Sequence, residues 1–283
     1  MVKKYNDLYQ DTRRALLATE NAQDAGVLAR MLVCHYSGKS QADFLADRDL
    51  YASDKIVADV ESGLQRLLEG EPMPYILGQW DFYDMTFFVG EGVLIPRPET
   101  ELLVEFAAEK IQKNDFKVVY DLCCGSGCIG LTVAKLFPTI KVICVDLSDK
   151  AIEYTTMNKE LLAADNVTIV KADVLDSVGF LGLPRPDIIL SNPPYIKTEE
   201  IKTLQPEIAF EPFMALDGGE DGLVFYRALS ENWFTYINKG GYIAMEIGEE
   251  QGKDVLSLFL NKAEKARVIK DASGLDRVVA VKR

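Results

Sequence analysis

Apolar residues recur at helical spacing through the first seventy residues of the chain. The clearest pattern covers 56–68, where apolar positions follow one another three or four residues apart, as on the buried face of a helix. Ser53 or Asp54 stands where the N-cap of this helix is expected. No strand-like run interrupts the region, and a Gly-Glu-Pro stretch at 70–72 ends it. We therefore predict a helical N-terminal domain over 1–72.

The pattern changes to closely spaced aromatic and β-branched residues over 75–96. Such residues are typical of strands, and two glycines near the end of the segment provide a turn signal. We predict a β-hairpin with its turn at Gly90-Glu91-Gly92, and we assign 73–96 to a hairpin that links two domains. Pro98 suits the first turn of the helix that follows.

Short apolar runs alternate with helical patterns in the remainder of the chain. The seven runs lie at 117–121, 141–145, 167–171, 186–190, 241–247, 266–270 and 277–282. Alternation of this kind predicts an α/β domain, over 97–283, in which a parallel sheet has helices on both faces. Only the short link "DASGLD" joins the last two runs, so these strands should pair antiparallel and make the sheet mixed.

A glycine-rich loop follows the first of these strands. Gly125, Gly127 and Gly130 form the pattern G-x-G-x-x-G, which lets the backbone turn tightly and approach a ligand. Asp146 ends the next strand, about twenty residues after the first glycine, where an acid binds ribose hydroxyls. The pair fits a dinucleotide or S-adenosylmethionine, because both carry an adenosine ribose.

Asp121 favours S-adenosylmethionine over a dinucleotide, and Asp173 and Val174 complete the predicted cofactor site. Asp121 lies at the strand end before the glycine loop, where a carboxylate can accept from the ammonium group of methionine. A dinucleotide has a negatively charged pyrophosphate at this position. Binding of that anion would gain less from a neighbouring carboxylate. Asp173 and Val174 follow the third strand, so Asp173 can accept from the adenine amino group while Val174 covers the ring.

The segment Ser191-Asn192-Pro193-Pro194-Tyr195 follows the fourth strand and is stiffened by its two prolines. A planar NH2 group has two protons, which the Asn192 side-chain oxygen and the Pro193 carbonyl can accept. Tyr195 can stack on a flat acceptor group. Because methyl transfer from a sulfonium is an in-line displacement, such positioning supplies much of the rate. The segment therefore predicts a methyl acceptor that is an amide or an exocyclic amine.

Charge, cysteine and histidine content narrow the classes of function. The net charge of −13 lacks the basic character of a non-specific nucleic-acid binder. The five cysteines are odd in number and favour reduced thiols, and Cys123 and Cys124 are interpreted as packing beside the cofactor. No second ligand pair accompanies Cys124 and Cys128, so no metal site is predicted.

His35 is the sole histidine and is remote in sequence from the other motifs. We find no membrane-length apolar run and no signal-peptide pattern, and expect a cytoplasmic protein.

Five motifs resemble those of the peptide chain release factor N5-glutamine methyltransferases, the PrmC/HemK family. They are "PYILG" at 74–78, "LIPRPETE" at 94–101, "DLCCGSGCIGL" at 121–131, "SNPPYI" at 191–196 and "ALDGGEDGL" at 215–223. The resemblance covers nearly the whole chain. It implies a class I, Rossmann-like methyltransferase sheet behind a small all-α domain, and we expect this domain, over 1–72, to recognise the substrate. It also implies methylation of the glutamine in the Gly-Gly-Gln motif of class 1 release factors, without direct nucleic-acid binding.

The resemblance also implies site residues by motif position. Cofactor contacts fall at Cys123, Cys124, Gly125, Ser126, Gly127, Asp146, Val174 and Asn192, and substrate contacts at Asn192, Pro193, Pro194 and Tyr195. The catalytic pair would be Asn192 and Pro193. One departure concerns the glycine loop, since many family members have glycine where Cys123 or Cys124 stands. "LIPRPETE" is expected against the methionine end of the cofactor, and "ALDGGEDGL" either shapes the substrate mouth or turns the chain.

Four alternatives remain open from the residues. An adenine-N6 nucleic-acid methyltransferase shares the planar acceptor, although the acidic charge opposes it. A glutamine methyltransferase acting on a ribosomal protein is barely distinguishable by sequence. A dinucleotide-dependent oxidoreductase would use the same glycine loop but leaves the Asn-Pro-Pro-Tyr segment without a role. A non-catalytic binding module that keeps the fold would need neither the glycine loop nor the Asn-Pro-Pro-Tyr segment, and both are intact in this chain.

Overall fold

A computed structural model describes residues 3–176, 182–204 and 206–283 and contains two compact units. The first unit comprises Met1–Gly78 with Pro206–Phe210, and the second comprises Gln79–Gln205 with Glu211–Arg283. The helices of the first unit are α1 Tyr5–Leu16, α2 Ala25–Ser37, α3 Gln41–Asp47, α4 Asp54–Leu68 and α5 Met73–Leu77. The predicted helical N-terminal region is therefore present.

Helix α4 shows how the apolar pattern produces this unit. The Ser53 hydroxyl accepts a hydrogen bond from the Ile56 amide at 3.3 Å, so Ser53 is the N-cap. Val57, Val60 and Leu67 are buried on one face of the helix. Burying each such side chain stabilises the fold by about 1.5–3 kcal/mol, which is what holds a helix of this length in place.

The β-hairpin is confirmed, but its predicted turn is wrong. Strands β1 Gln79–Phe82 and β2 Met85–Phe88 pair antiparallel, and Tyr83 and Asp84 form the turn with φ of 52° and 57°. A two-residue hairpin turn with positive φ at both positions matches the twist of its strands. The glycines at 90–92 come after the hairpin, and Gly92 is needed there because a Cβ would lie 2.8 Å from the Lys150 side chain.

All seven apolar runs of the second unit form strands of one sheet. They are β3 Val118–Leu122, β4 Lys141–Asp146, β5 Val167–Lys171, β6 Ile188–Ser191, β7 Tyr242–Glu246, β8 Lys265–Lys270 and β9 Asp276–Lys282. The strand order is β5-β4-β3-β6-β7-β9-β8, and β9 is antiparallel to both β7 and β8. The mixed sheet and the terminal antiparallel pair are as predicted.

Helices cover both faces of this sheet. The α-helices of this unit are α6 Glu101–Lys113, α7 Cys128–Leu136, α8 Asp149–Leu161, α9 Thr198–Ile201, α10 Phe213–Leu216, α11 Val224–Ala228 and α12 Gly252–Ser257. Successive residues of β3 point to opposite faces, so Val119 packs with α6 and α7 while Tyr120 packs with Trp233 and the other layer. Among the described residues, no helix is long and apolar enough to cross a membrane.

The strand order reverses between β3 and β6. These two strands pair in parallel, with Leu122 opposite Ser191, so the glycine loop and the Asn-Pro-Pro-Tyr segment leave the same edge of the sheet side by side. Ligands of open α/β sheets bind outside the carboxyl ends of the strands at such a switch point. The fold therefore brings together two motifs that are about seventy residues apart in sequence.

Candidate active site

A cavity of about 390 Å³ lies at the carboxyl ends of β3, β4, β5 and β6. The predicted site residues on its wall are Cys123, Gly125, Asp146, Asp173, Val174, Asn192 and Pro194. Its volume is that of a small-molecule site, and its wall is mostly apolar with a few polar groups. All of its lining residues belong to the second compact unit.

The backbone of the glycine loop is left-handed at three positions. Cys123, Gly125 and Gly127 have φ of 59°, 56° and 80°. At Gly127 a Cβ would lie 2.8 Å from the Thr155 side chain, so glycine is required for both conformation and space. Cys123 adopts the left-handed conformation at a cost in free energy that glycine would not incur.

Side chains of α8 fasten the same loop from outside the cavity. The Thr155 hydroxyl donates to the Gly125 carbonyl at 2.9 Å, and the buried Asn158 amide donates to the Ser126 carbonyl at 2.9 Å. Asn158 also exchanges two hydrogen bonds with the backbone of Phe88 on β2. These contacts were not predicted from sequence, because α8 carries no motif that marks them.

Asp121 is fully buried at the end of β3. One carboxylate oxygen accepts from the Gly130 amide at 2.8 Å, and the other has no hydrogen-bond partner among the described residues. Burial, opposed by the Gly130 hydrogen bond and reinforced by the charge of nearby Asp146, raises the pKa of Asp121 to about 7. Gly130 is glycine by necessity, since a Cβ would lie 2.6 Å from the Cys144 sulfur.

Asp146 closes the glycine loop at the end of β4. Its two carboxylate oxygens accept from the amides of Gly125 and Ser148, both at 2.9 Å. Burial raises the pKa of Asp146, while these backbone hydrogen bonds lower it. Each carboxylate oxygen has a second lone pair, so Asp146 can still accept from ligand hydroxyls in the cavity.

Asp173 and Val174 line the cavity after β5. Asp173 accepts from the Leu175 amide at 2.9 Å, which holds the turn. The Val174 side chain is buried, and its carbonyl accepts from the Trp233 indole at 2.8 Å. The arrangement therefore offers one carboxylate, which can accept a hydrogen bond from the edge of a purine base, and one apolar surface, which can cover the face of its ring.

The cysteines of the loop are neutral thiols. Burial raises the pKa of Cys123 well above its ordinary value, and a hydrogen bond with Cys144 together with burial does the same for Cys124. A reactive thiol needs a lowered pKa. This supports the interpretation of Cys123 and Cys124 as packing residues.

The Asn-Pro-Pro-Tyr segment is connected to the "LIPRPETE" motif. The Asn192 amide nitrogen lies 3.4 Å from the Thr100 hydroxyl, and that hydroxyl lies 2.6 Å from a carboxylate oxygen of Glu246. Burial raises the pKa of Glu246 to about 7. Neither Thr100 nor Glu246 was predicted as a site residue. Thr100 belongs to the "LIPRPETE" motif, which was expected at the methionine end of the cofactor, and Glu246 belongs to no quoted motif, so only the fold shows their connection to Asn192.

The "ALDGGEDGL" motif packs directly on the backbone of Tyr195. Added Cβ atoms at Gly218 and Gly222 would lie 2.8 Å and 2.5 Å from Tyr195 backbone atoms. The Ile196 amide donates to the Leu216 carbonyl at 2.9 Å, which continues the contact. The motif therefore supports the acceptor segment, and it also places Asp217 and Gly219 on the cavity wall.

The remaining predicted residues lie behind the cavity wall rather than on it. Asp121, Cys124, Ser126, Gly127, Pro193 and Tyr195 are not among its described lining residues. Tyr195 is partly buried, and burial raises its pKa above the ordinary value. The wall also includes Leu94, the first residue of the "LIPRPETE" motif, and residues that no sequence motif indicated, among them Pro212, Phe213 and Met214. Phe213 and Met214 are exposed apolar side chains.

Solved structures with low sequence identity share this fold. The hMettl16 catalytic domain, in complex with MAT2A 3'UTR hairpin 6, aligns with a TM-score of 0.57 at 11% identity, over 83% of this chain and 84% of that chain. The family model described as "Methyltransferase small domain" matches residues 98–227, and that of the "PrmC N-terminal domain" matches residues 7–78. The fold and the site therefore define a class I methyltransferase, an enzyme with a Rossmann-like sheet.

Curated relatives specify the family. A release factor glutamine methyltransferase of Thermodesulfovibrio yellowstonii is 39% identical over 259 residues, which cover 90% of this chain and 91% of the relative. Another from Geobacter sulfurreducens is 35% identical over 271 residues, covering 95% and 93%. The chain belongs to the release factor glutamine methyltransferase family, which confirms the resemblance stated from its motifs.

Proposed function

We propose that this enzyme transfers a methyl group from S-adenosylmethionine to the side-chain amide nitrogen, N5, of the glutamine in the Gly-Gly-Gln motif of class 1 release factors. The observation that carries the proposal is the position of Asn192 on the wall of the cavity, directly beside the glycine loop. Family membership indicates the substrate, because the relatives are named for it.

The residues at the cavity fit the proposed cofactor. Asp146 would hold the ribose hydroxyls, and Asp173 and Val174 would hold the adenine. The fully buried Asp121 has one carboxylate oxygen without a partner among the described residues, and we assign it to the ammonium group. The left-handed backbone at Cys123 and Gly125 leaves room for close approach of the methionine part. Bound there, the cofactor supplies an electrophilic methyl group.

Asn192 and Pro193 would hold the glutamine amide of the substrate. An amide nitrogen is a poor nucleophile because its lone pair is conjugated with the carbonyl. The Asn192 side-chain oxygen and the Pro193 carbonyl accept one amide proton each, which polarises the group and fixes its direction. As the N–C bond formed, the bond between the methyl group and the sulfonium sulfur would break with its electron pair left on sulfur, and one of these amide protons would pass to solvent. Pro194 on the cavity wall and Tyr195 behind it would complete the binding segment.

The helical N-terminal domain is our proposed recognition domain for the release factor. We keep the assignment of 1–72 to recognition, 73–96 to the linking hairpin and 97–283 to methyl transfer. Hydrogen exchange on the full chain, with and without a class 1 release factor, tests it. We expect new protection within 1–72, and protection confined to 97–283 would contradict the assignment. Since release factors act on ribosomes, the proposal also implies a cytoplasmic location.

Mass spectrometry tests the reaction itself. Purified release factor and labelled S-adenosylmethionine are incubated with the enzyme, and the modified residue is mapped. We expect one methyl group on the glutamine of the Gly-Gly-Gln motif. A release factor in which that glutamine is replaced by glutamate is the matched control and should take up no label. Label on another residue, or on a ribosomal protein instead, would overturn the proposal.

A further inference from the structure

A buried polar chain leads from the acceptor segment into the core of the second unit. Thr100 lies between Asn192 and Glu246, with 3.4 Å from its oxygen to the Asn192 amide nitrogen and 2.6 Å to a Glu246 carboxylate oxygen. Thr100 and Glu246 are each only 2% exposed. Buried polar groups normally have hydrogen-bond partners within the protein, and water has little access to take the place of those partners.

The direction of each hydrogen bond follows from the chemistry of Glu246. An ionised carboxylate can only accept, so the single hydroxyl proton of Thr100 points to Glu246. The Thr100 oxygen then has only lone pairs left for Asn192, and it must face the NH2 group of the amide. The Asn192 carbonyl oxygen consequently points away from Thr100.

We propose that Glu246, acting through Thr100, sets the orientation of the Asn192 amide so that its carbonyl oxygen faces the methyl acceptor. Glu246 and Thr100 are positioning residues, since Asn192 alone would touch the substrate. The inference rests on the proposed function, because it takes the acceptor to be an NH2 group. The opposite amide orientation would present donors to a donor and repel that group.

The surroundings of Glu246 make this orientation sensitive to pH. Arg277 on β9 and the Thr100 hydrogen bond favour the ionised form, whereas burial and the charge of Glu99 oppose it. The groups that face it are Arg277, Glu99, Tyr195, Tyr226 and Cys128. The resulting pKa is about 7. A protonated Glu246 can itself donate, so Thr100 is no longer obliged to donate to it and the Asn192 amide is free to turn.

Nuclear magnetic resonance on the full chain tests the chain of contacts without cofactor or substrate. Asparagine is labelled with 15N, and the Asn192 side-chain signals are identified by their loss in N192A. We expect these signals to titrate with a midpoint near the pKa of Glu246, over about pH 5.5 to 8.5. The titration should vanish in E246Q and T100V and persist in T100S, which keeps the hydroxyl.

Kinetics measured on the same variants connect the orientation to catalysis. We expect kcat of the wild type to fall below about pH 7, with T100V lowering kcat roughly 10- to 100-fold and T100S retaining most of it. Cofactor affinity should change little in T100V. The matched control is T132V, since Thr132 is another fully buried threonine and lies on α7 away from Asn192.

Two results would overturn the inference. One is an Asn192 signal that still titrates in E246Q, and the other is a T100V enzyme with the kcat and pH profile of the wild type. If T100V fails to fold, E246Q and T100S still decide the matter through the titration. Failure of the wild type to methylate a release factor would instead overturn the proposed function, and the titration measured without substrate would be unaffected.

Discussion

Single side chains at the carboxyl ends of β3 and β6 carry most of the proposed chemistry. Asp121 and Asn192 both lie at strand ends, yet their environments differ. Asp121 is fully buried, whereas Asn192 is partly exposed at the cavity. A position at a strand end therefore gives Asp121 a strongly raised pKa, whereas it makes Asn192 a neutral group that can contact a ligand in the cavity.

Replacing Asn192 by alanine should abolish methyl transfer. The variant loses the side-chain acceptor for one amide proton, and we expect kcat to fall at least about 100-fold. Cofactor affinity, measured by calorimetry, should largely survive because Asp146 and the glycine loop are unchanged. N114A is a suitable control, since Asn114 ends α6 at the surface. Substantial activity in N192A would refute the role of Asn192.

Asp121 should make folding stability depend on pH. Its folded-state pKa of about 7 lies above the value of about 3.9 in an unfolded chain, so the folded state binds the proton more tightly. The stability from this group is therefore full below about pH 4 and is lost as the pH rises through about 7. Asp121→Asn is neutral at every pH and escapes this loss.

The expected measurement is a difference between two pH values. Relative to wild type, the free energy of unfolding of Asp121→Asn should be larger, meaning a more stable protein, at pH 8 than at pH 5 by about 2–3 kcal/mol. Urea unfolding at both pH values provides it, with the exposed Asp115→Asn as control. Glu246 titrates in both proteins and cancels. An identical difference at both pH values would contradict the burial argument. The assignment of Asp121 to the ammonium group of the cofactor has a separate test, because an Asp121→Asn variant with unchanged cofactor affinity would contradict it.

Secondary-structure elements explain where sequence patterns were sufficient and where they were not. The helices and the seven strands followed from apolar periodicity, because a buried face must be apolar wherever the element packs. The hairpin turn did not follow. Tyr83 and Asp84 adopt positive φ without glycine, while Gly90 and Gly92 allow close packing against Tyr154 and Lys150 of α8, respectively. The sequence alone does not show whether a glycine forms a hairpin turn or allows close packing against a neighbouring helix.

Helix α7 depends on Gly130 for its contact with the sheet. In Gly130→Ala the new Cβ would lie 2.6 Å from the Cys144 sulfur and 2.9 Å from an Asp121 oxygen. We expect a loss of about 1–3 kcal/mol in unfolding free energy, measured by urea denaturation. Cys144→Ala in the same chain should recover part of this loss, because it removes the closest contact. Purely additive effects of the two substitutions would argue against the packing explanation.

The whole molecule carries a net charge of −13, which bears on its partners. A net negative charge does not favour the release of counterions on which non-specific nucleic-acid affinity depends. We expect filter binding over a salt series to detect no tight, salt-sensitive binding to DNA or RNA, with a basic DNA-binding protein as positive control. Tight binding that weakens steeply with salt would favour the adenine-N6 alternative over glutamine methylation.

The sequence by itself determined the elements, the mixed sheet, the glycine loop and the acceptor segment. These depend on local patterns, because backbone conformation and burial periodicity act over a few neighbouring residues. Tertiary structure alone decided that Thr100 and Glu246, 146 positions apart, meet at Asn192, and that Asp121 and Tyr195 lie behind the cavity wall. Such contacts depend on which strand ends are neighbours, and no local pattern contains that information.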